Sequence, residues 1–443
     1  MHSFHPEDLG DGYTLRWGTP ADAEGYANLA ARSFKKNHSE PDNQIVANYA
    51  RDLLSGFHPL CPPERVAVVV DANNHVVAAA ALMDQPLMYA GIPLAVGRPE
   101  IVVSDTAVRK RGFIRQIMRW LHAKSVQNGD IAQAITGIEY YYKQFGYEWM
   151  IDFPGGAKVL FAQLPALASD APSVTLRAVT AAELPQFIAM YDADRHRPNV
   201  LVTTPLSAEY LAFTMAQSVS SEGNLPYFIV DNHDCVIGYL LIGKCCWQGE
   251  MDVRGWGLVP GVVWANHLLA TMHALPSIIP VLHKKPGEEV ITAATLMLDT
   301  SHVIYPLLKS YLPHTASDTY VWYVRVPDLV PLLQQITPVL DARLASSALA
   351  GYSGTKHVSF FRGGLELTWQ QGQLTSVSHW QPPVEFGKAE AYYPPGIMAQ
   401  QIFGWRSLSE LRTLGPDVSA DNHTSQLFEI LFPKTPSWFL WSN

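Results

Sequence analysis

The strongest constraint on this chain is that it repeats itself. Near the start it reads Tyr13-Thr14-Leu15-Arg16-Trp17-Gly18-Thr19-Pro20-Ala21, and later Val174-Thr175-Leu176-Arg177-Ala178-Val179-Thr180-Ala181-Ala182, so T-L-R-x-x-T-x-A occurs twice. A second match follows at nearly the same offset. Val70-Asp71-Ala72-Asn73-Asn74-His75-Val76-Val77 and Val230-Asp231-Asn232-His233-Asp234-Cys235-Val236-Ile237 both read as strand, polar turn, strand. Two matches in one register predict two related domains, over 1–165 and 170–326. From Pro327 the pattern changes. Leu329–Leu344 has helical spacing, Val358–Thr368 alternates like strands around a Gly363-Gly364 turn, and Ile397–Leu414 reads as another helix. A third domain of α+β type is expected over 327–443, with junctions near Pro165–Pro172 and Val324–Asp328. The fold class is mixed α+β.

Composition narrows the function. Hydrophobic residues are 48% and charged residues 16% of the 443, which supplies material for several cores and excludes wholesale disorder. The net charge of −9 argues against a nucleic-acid binder, which needs a basic face, and is compatible with a cationic, amine-bearing substrate. The 4 cysteines form no C-x-x-C pair, so neither a disulfide scaffold nor a zinc site is expected. Cys245-Cys246 falls in a strand-like run and reads as packing. The 16 histidines have no spacing that compels a metal. The longest apolar stretches, Val66–Val70 and Val76–Met83, are too short for a membrane helix. Met1-His2-Ser3-Phe4 opens a polar segment without a charged-then-apolar leader, so a cytoplasmic location is expected.

The strongest chemical signal lies in the first repeat. Ile101-Val102-Val103-Ser104 is a β-branched run, Arg109-Lys110-Arg111-Gly112 a basic turn, and Ile114, Ile117, Met118 and Leu121 follow helical spacing. A helix start offers unpaired N–H groups and a partial positive charge. Gly112 lets backbone approach a ligand, and the basic side chains add charge-assisted donors. In outline this is a pyrophosphate site, against the plainer reading of a solvated basic turn. Neither the G-x-x-x-x-G-K-S/T loop nor G-x-G-x-x-G is present. A second signal is Tyr140-Tyr141-Tyr142-Lys143-Gln144-Phe145-Gly146-Tyr147, an aromatic cluster that could be core, or could supply a hydroxyl that protonates a departing thiolate.

Together, the Ile101–Ser104 strand, the Arg109–Gly112 turn and Tyr142-x-x-Phe145-Gly146-Tyr147 resemble the GNAT superfamily of acyl-CoA-dependent N-acetyltransferases, whose turn reads Q/R-x-x-G-x-G/A. Ile114 departs from the final small residue. Arg109 through Arg115 fit the R-x-R-G-x-L/I-R form of the Eis-like (enhanced intracellular survival) branch, which joins two GNAT-fold domains to a C-terminal sterol-carrier-protein-like domain. Phe403–Leu411, Gly415-Pro416-Asp417 and Leu431–Pro436 also resemble that branch, so the likeness spans nearly the whole chain.

The resemblance implies an acetyl-CoA-dependent N-acetyltransferase, without a metal, acting on a primary amine of an aminoglycoside- or polyamine-like molecule or of a lysine. It implies that backbone groups of Val102, Val103 and Ser104 pair with pantetheine. Arg109, Lys110, Arg111, Gly112, Phe113, Ile114 and Arg115 would hold the pyrophosphate. Tyr142 would be the general acid and the α-carboxylate of Asn443 the general base. A homo-oligomer, a hexamer built from dimers or trimers, is also implied. In the second repeat the equivalent stretch Val262–Pro276 has no Gly, Lys or Arg, so that domain is expected to be a non-catalytic copy. The competing readings are a CoA-binding scaffold without catalysis and a carrier of apolar ligands through the last domain.

Overall fold

The computed structural model describes residues 4–35, 40–153, 156–216, 223–246, 248–284, 290–312, 320–383 and 387–440. The repeat is visible atom by atom. Thr14–Trp17 and Val174–Ala178 are both strands, each followed by a Thr-capped turn of 3-10 helix. The backbone N–H of Thr19 donates to Asp22 at 2.8 Å, and that of Thr180 to Glu183 at 3.0 Å. The repeated Arg closes each box, Arg16 on Asp22 at 2.8 Å and Arg177 on Glu183 at 2.9 Å. This explains why T-L-R-x-x-T recurs: the strand's arginine neutralises the carboxylate that caps the next helix. The two polar turns also match. Asp71 accepts from the N–H of Asn73 and His75, Asp231 from those of His233 and Cys235, and Asn74 and Asp234 share a left-handed backbone (φ 61 and 62).

The first sheet has eight strands, in the spatial order Glu7–Asp8, Thr14–Trp17, Val66–Val70, Val76–Asp84, Val96–Ser104, Ala132–Ile135, Val321–Arg325 and Glu148–Asp152. Both faces are covered. Val66, Val68 and Val70 pack in one core with the helices Ala23–Ser33 and Gln44–Leu53. Ala67 and Val69 pack in another with the helix Phe113–Asn128. Burial on both sides is why Val66–Val70 is an unbroken apolar run rather than an alternating one. The second sheet runs Ala157–Leu160, Ala293–Leu296, Glu250–Leu258, Val236–Gly243, Asn224–Asp231 and Val174–Ala178.

The two sheets exchange strands. Val321–Arg325, from the end of the second repeat, lies between Ala132–Ile135 and Glu148–Asp152 and pairs antiparallel with both. Ala157–Leu160, from the end of the first, pairs antiparallel with Ala293–Leu296. The sheets therefore cross the divisions drawn on the sequence at 165 and 326.

The C-terminal part has five strands, Gly354–Ser359, Gly364–Gln370, Gln373–Trp380, Ala391–Tyr392 and Ser419–Ala420, with the helices Leu329–Ala345 and Asn422–Leu431. Its core is continuous with Met150, Ile151, Trp322 and Val324 of the first sheet. Near the chain's end Trp438 and Leu440 enter the second repeat's core, while Phe439 stacks on Trp322 at 4.0 Å. Two expectations need correction. The helix read over Ile397–Leu414 is two, Ile397–Ile402 and Leu408–Leu414. Gly404 adopts φ +69 in a crowded spot, and Ser407 opens a new capping box with Glu410. Cys245 and Cys246 are buried but lie past the strand Val236–Gly243.

Candidate active site

The site begins where two parallel strands part. Val96–Ser104 pairs with Ala132–Ile135 only at Val96 with Ala132 and Gly97 with Gln133. Beyond that the strands diverge and leave a wedge, at the end of a sheet where open α/β proteins bind ligands. A backbone irregularity aims the outer strand. Its register against Val76–Asp84 shifts between Ala79 and Ala81, and opposite the shift Ile101 takes φ 45. That conformation is unfavourable for a β-branched residue and costs on the order of 1–3 kcal/mol. The fully buried Tyr26 hydroxyl donates to the Ile101 carbonyl at 2.9 Å and holds the bulge. Nothing in the sequence marks Ile101, because its side chain argues for a regular strand.

A cavity of about 670 Å³ fills the wedge. Val102, Val103 and Ser104 line one side, and Gly112, Phe113, Ile114 and Arg115 the helix start. Gly112 is the helix cap at φ 81, and a Cβ there would meet nothing within 4 Å, so backbone faces open space. Arg109, Lys110 and Arg115 line the cavity and have no carboxylate partner among the described residues, whereas Lys35, also on its wall, is tied to Asp42 at 2.5 Å. Among the described residues no Asp or Glu lines it. Unpaired cations at a helix start form a site for a polyanion. Arg111 is placed elsewhere: its guanidinium binds Asp11 at 2.8 Å and lies 5.2 Å over the Tyr13 ring. Ser33 and Phe34 reach the wall from the first helix.

Tyr142 lines the same cavity from a short 3-10 helix, Tyr141–Phe145. It is 5% exposed, and its hydroxyl makes no hydrogen bond among the described residues. Burial, with smaller contributions from Glu100 and the neighbouring tyrosines, pushes its phenol well above the ordinary value, so it holds its proton. Tyr140, next to it, is 70% exposed, and Tyr141 is half-buried on the cavity wall. The Tyr142 ring sits against Gly137, whose added Cβ would lie 3.2 Å from it. Behind it, Tyr147 is buried with its hydroxyl 2.9 Å from His122 Nε2, and burial drops that imidazole to about 3.

The exchanged segment supplies parts of this site that the sequence does not reveal. The Gly137 N–H donates to the Tyr320 hydroxyl at 2.6 Å, which donates to the Gly137 carbonyl at 2.9 Å. The Tyr140 N–H donates to the Tyr323 hydroxyl at 2.5 Å. Two tyrosines from the end of the second repeat thus pin the turn that carries Tyr142. A buried carboxylate was also missed: Glu100, beside the bulge, takes a 2.6 Å bond from Arg98, which is fully buried. Asn443 lies outside the described residues.

The second repeat differs at the corresponding strands. Glu250–Leu258 stays paired with Ala293–Leu296 over four positions, against two in the first sheet. Trp256 is fully buried with Trp264 5.9 Å away at the start of the following helix, Trp264–Ala274. Gly261 does precede that helix at φ +93, just outside the stretch read from the sequence, but residues 259–263 hold no Lys or Arg. Among the described residues no helix is long and apolar enough to cross a membrane, and no cluster of three His, Cys, Asp or Glu could hold a metal ion.

Comparison with known proteins agrees with the geometry. Residues 14–150 match the family model described as acetyltransferase (GNAT) domain, so the chain carries an acyltransferase domain of that family. No curated protein matches the chain. Among solved structures, a protein from Enterococcus faecalis V583 described as a probable N-acyltransferase is similar over 97% of this chain and 99% of its own, with TM-score 0.67 and 12% identity. A GCN5-related N-acetyltransferase from Kribbella flavida is similar over 97% and 98%, with TM-score 0.63 and 17% identity. Eis1 from Mycobacterium abscessus is similar over 97% and 100%, with TM-score 0.56 and 12% identity. At these identities the likeness is one of fold, and it runs through all three parts of the chain.

Proposed function

We propose that the chain is an acetyl-CoA-dependent N-acetyltransferase whose acceptor is a primary amine on a cationic small molecule, aminoglycoside- or polyamine-like, or on a lysine side chain. One observation carries the reading: unpaired cations at a helix start and a protonated, buried tyrosine line one cavity. The cosubstrate brings an acyl group as a thioester whose sulfur leaves as a thiolate. Arg109, Lys110 and Arg115, with the free amides after Gly112, bind its diphosphate. Backbone groups of Val102, Val103 and Ser104, re-aimed by the Ile101 bulge, orient the pantetheine and polarise the thioester carbonyl. Tyr142 donates its proton to the leaving sulfur, a role that suits a phenol kept neutral by burial. The amine must be neutral to attack, and the α-carboxylate of Asn443 is assigned as its base. Three residues earlier, the Leu440 N–H donates to Thr204 Oγ1 at 3.0 Å.

The test is thiol release from acetyl-CoA against a panel of polyamines, aminoglycosides and lysine peptides. Turnover that depends on the amine is expected. Tight acetyl-CoA binding with no turnover on any amine would favour a scaffold instead. Failure to bind acetyl-CoA would remove the reading altogether.

A further inference from the structure

A second cavity, of about 540 Å³, lies between the exchanged strand and the C-terminal part of the chain. It shares no lining residue with the wedge, and its volume falls in the range of small-molecule sites. Its apolar wall includes Met150, Leu329, Phe360 and Leu365. Two carboxylates, Glu148 and Asp328, also line it, and each has a partner on the same wall. Lys143 is bound to Glu148 at 2.9 Å, and His379 lies 3.1 Å from Asp328. Arg325 lies on the exchanged strand. Its guanidinium donates to Gln133 Oε1 at 2.7 Å, and it has no carboxylate partner among the described residues. A half-buried guanidinium with several donors to spare, beside an apolar wall, matches one chemistry: a carboxylate headgroup on an apolar body.

We propose that this cavity is a binding site for a small amphipathic monocarboxylate, its headgroup on Arg325 and its apolar part against Phe360, Leu365 and Leu329. Arg325 supplies paired N–H donors, and its attachment to Gln133 fixes the plane it presents. The site does not depend on the function assigned to the wedge.

The test is calorimetric titration of the full chain with decanoate, with decanol and decylamine as controls, in the presence of saturating CoA so that the wedge is not the reporter. One decanoate per chain is expected, at least tenfold tighter than either control. Arg325→Gln should weaken decanoate by about tenfold or more and leave decanol unchanged. Because Arg325 also binds Gln133, a second variant guards against misfolding. Leu329→Glu places a negative charge in the cavity at the first residue of the Leu329–Ala345 helix, where an acidic side chain is favoured. Leu329 also packs against the core, so the thermal midpoint should drop somewhat, but the variant should still unfold cooperatively and lose decanoate. No saturable binding to the wild type, equal affinity for decanol, or undiminished binding in a folded Leu329→Glu variant would each overturn the proposal.

Discussion

Replacing Tyr142 by Phe removes one oxygen and leaves the rest of its setting intact. The ring lies beside Gly137, where an added Cβ would come within 3.2 Å of it, and packs on Tyr141, Tyr147 and Tyr323, with centroids 5.2, 6.1 and 6.0 Å away. Phe makes the same contacts. The lost hydroxyl has no hydrogen-bond partner among the described residues, so its removal leaves no orphaned group behind. Stability should be unchanged or higher by up to about 1 kcal/mol. Activity should fall sharply. A positioned general acid contributes roughly 10²–10⁴-fold, which corresponds to about 2.7–5.4 kcal/mol of barrier. The assay is steady-state thiol release with the best amine of the panel, alongside calorimetric acetyl-CoA affinity and a thermal scan. The expected pattern is kcat down by about a hundredfold or more, with acetyl-CoA affinity within about threefold. Because burial raises the phenol, the wild-type rate should also show no loss from Tyr142 ionisation up to about pH 9. A variant that keeps kcat within about threefold, or loses cosubstrate affinity in proportion to rate, would refute the role.

Further outcomes follow from other parts of the fold. Gly112→Ala places a Cβ on a left-handed backbone and should cost about 1–2 kcal/mol and raise the acetyl-CoA Kd several-fold, read by denaturation and calorimetry. Tyr26→Phe should cost about 1–3 kcal/mol and weaken acetyl-CoA binding, because the carbonyl it holds belongs to the bulge at Ile101; urea titration and Kd together check this. Asp130 is pushed up to about 6 by burial, opposed by the Ser125 hydrogen bond and aided by Asp84. The folded state therefore binds its proton more tightly than the unfolded one, and this group's contribution to stability is lost as pH rises from 3.8 to about 6. Asp130→Asn should gain stability at pH 7, with the gain vanishing below about pH 4, in urea melts at both values. A fragment of residues 1–165 lacks the strand between Ala132–Ile135 and Glu148–Asp152 and should show no cooperative unfolding transition by circular dichroism.

Much of this was legible in the sequence because local patterns carried it. The paired T-L-R-x-x-T segments encode the same capping box twice, and the basic turn sits where its strand, glycine and helix period place it. What was not legible depends on partners far along the chain. Val321–Arg325 reads as a strand anywhere, and nothing in Val-Trp-Tyr-Val-Arg says which sheet will take it. The hydroxyls of Tyr320 and Tyr323 consequently gave no hint that they pin the turn before Tyr142. Arg111 illustrates the opposite limit. Its position in the motif is that of a ligand-binding residue, yet Asp11, in a distant loop, claims its guanidinium.

The exchange of strands also orders events during synthesis. Glu148–Asp152 is made early, but the strand that must lie beside it ends at Arg325, about 170 residues later. At roughly 5–20 residues per second the ribosome takes on the order of 10–30 s to cover that distance. Through that interval the nascent head of the protein carries an open β edge, and Trp322 and Tyr323 have yet to arrive over its apolar faces. Protection by a chaperone is needed most in this window, and rare codons placed inside it would lengthen the exposure.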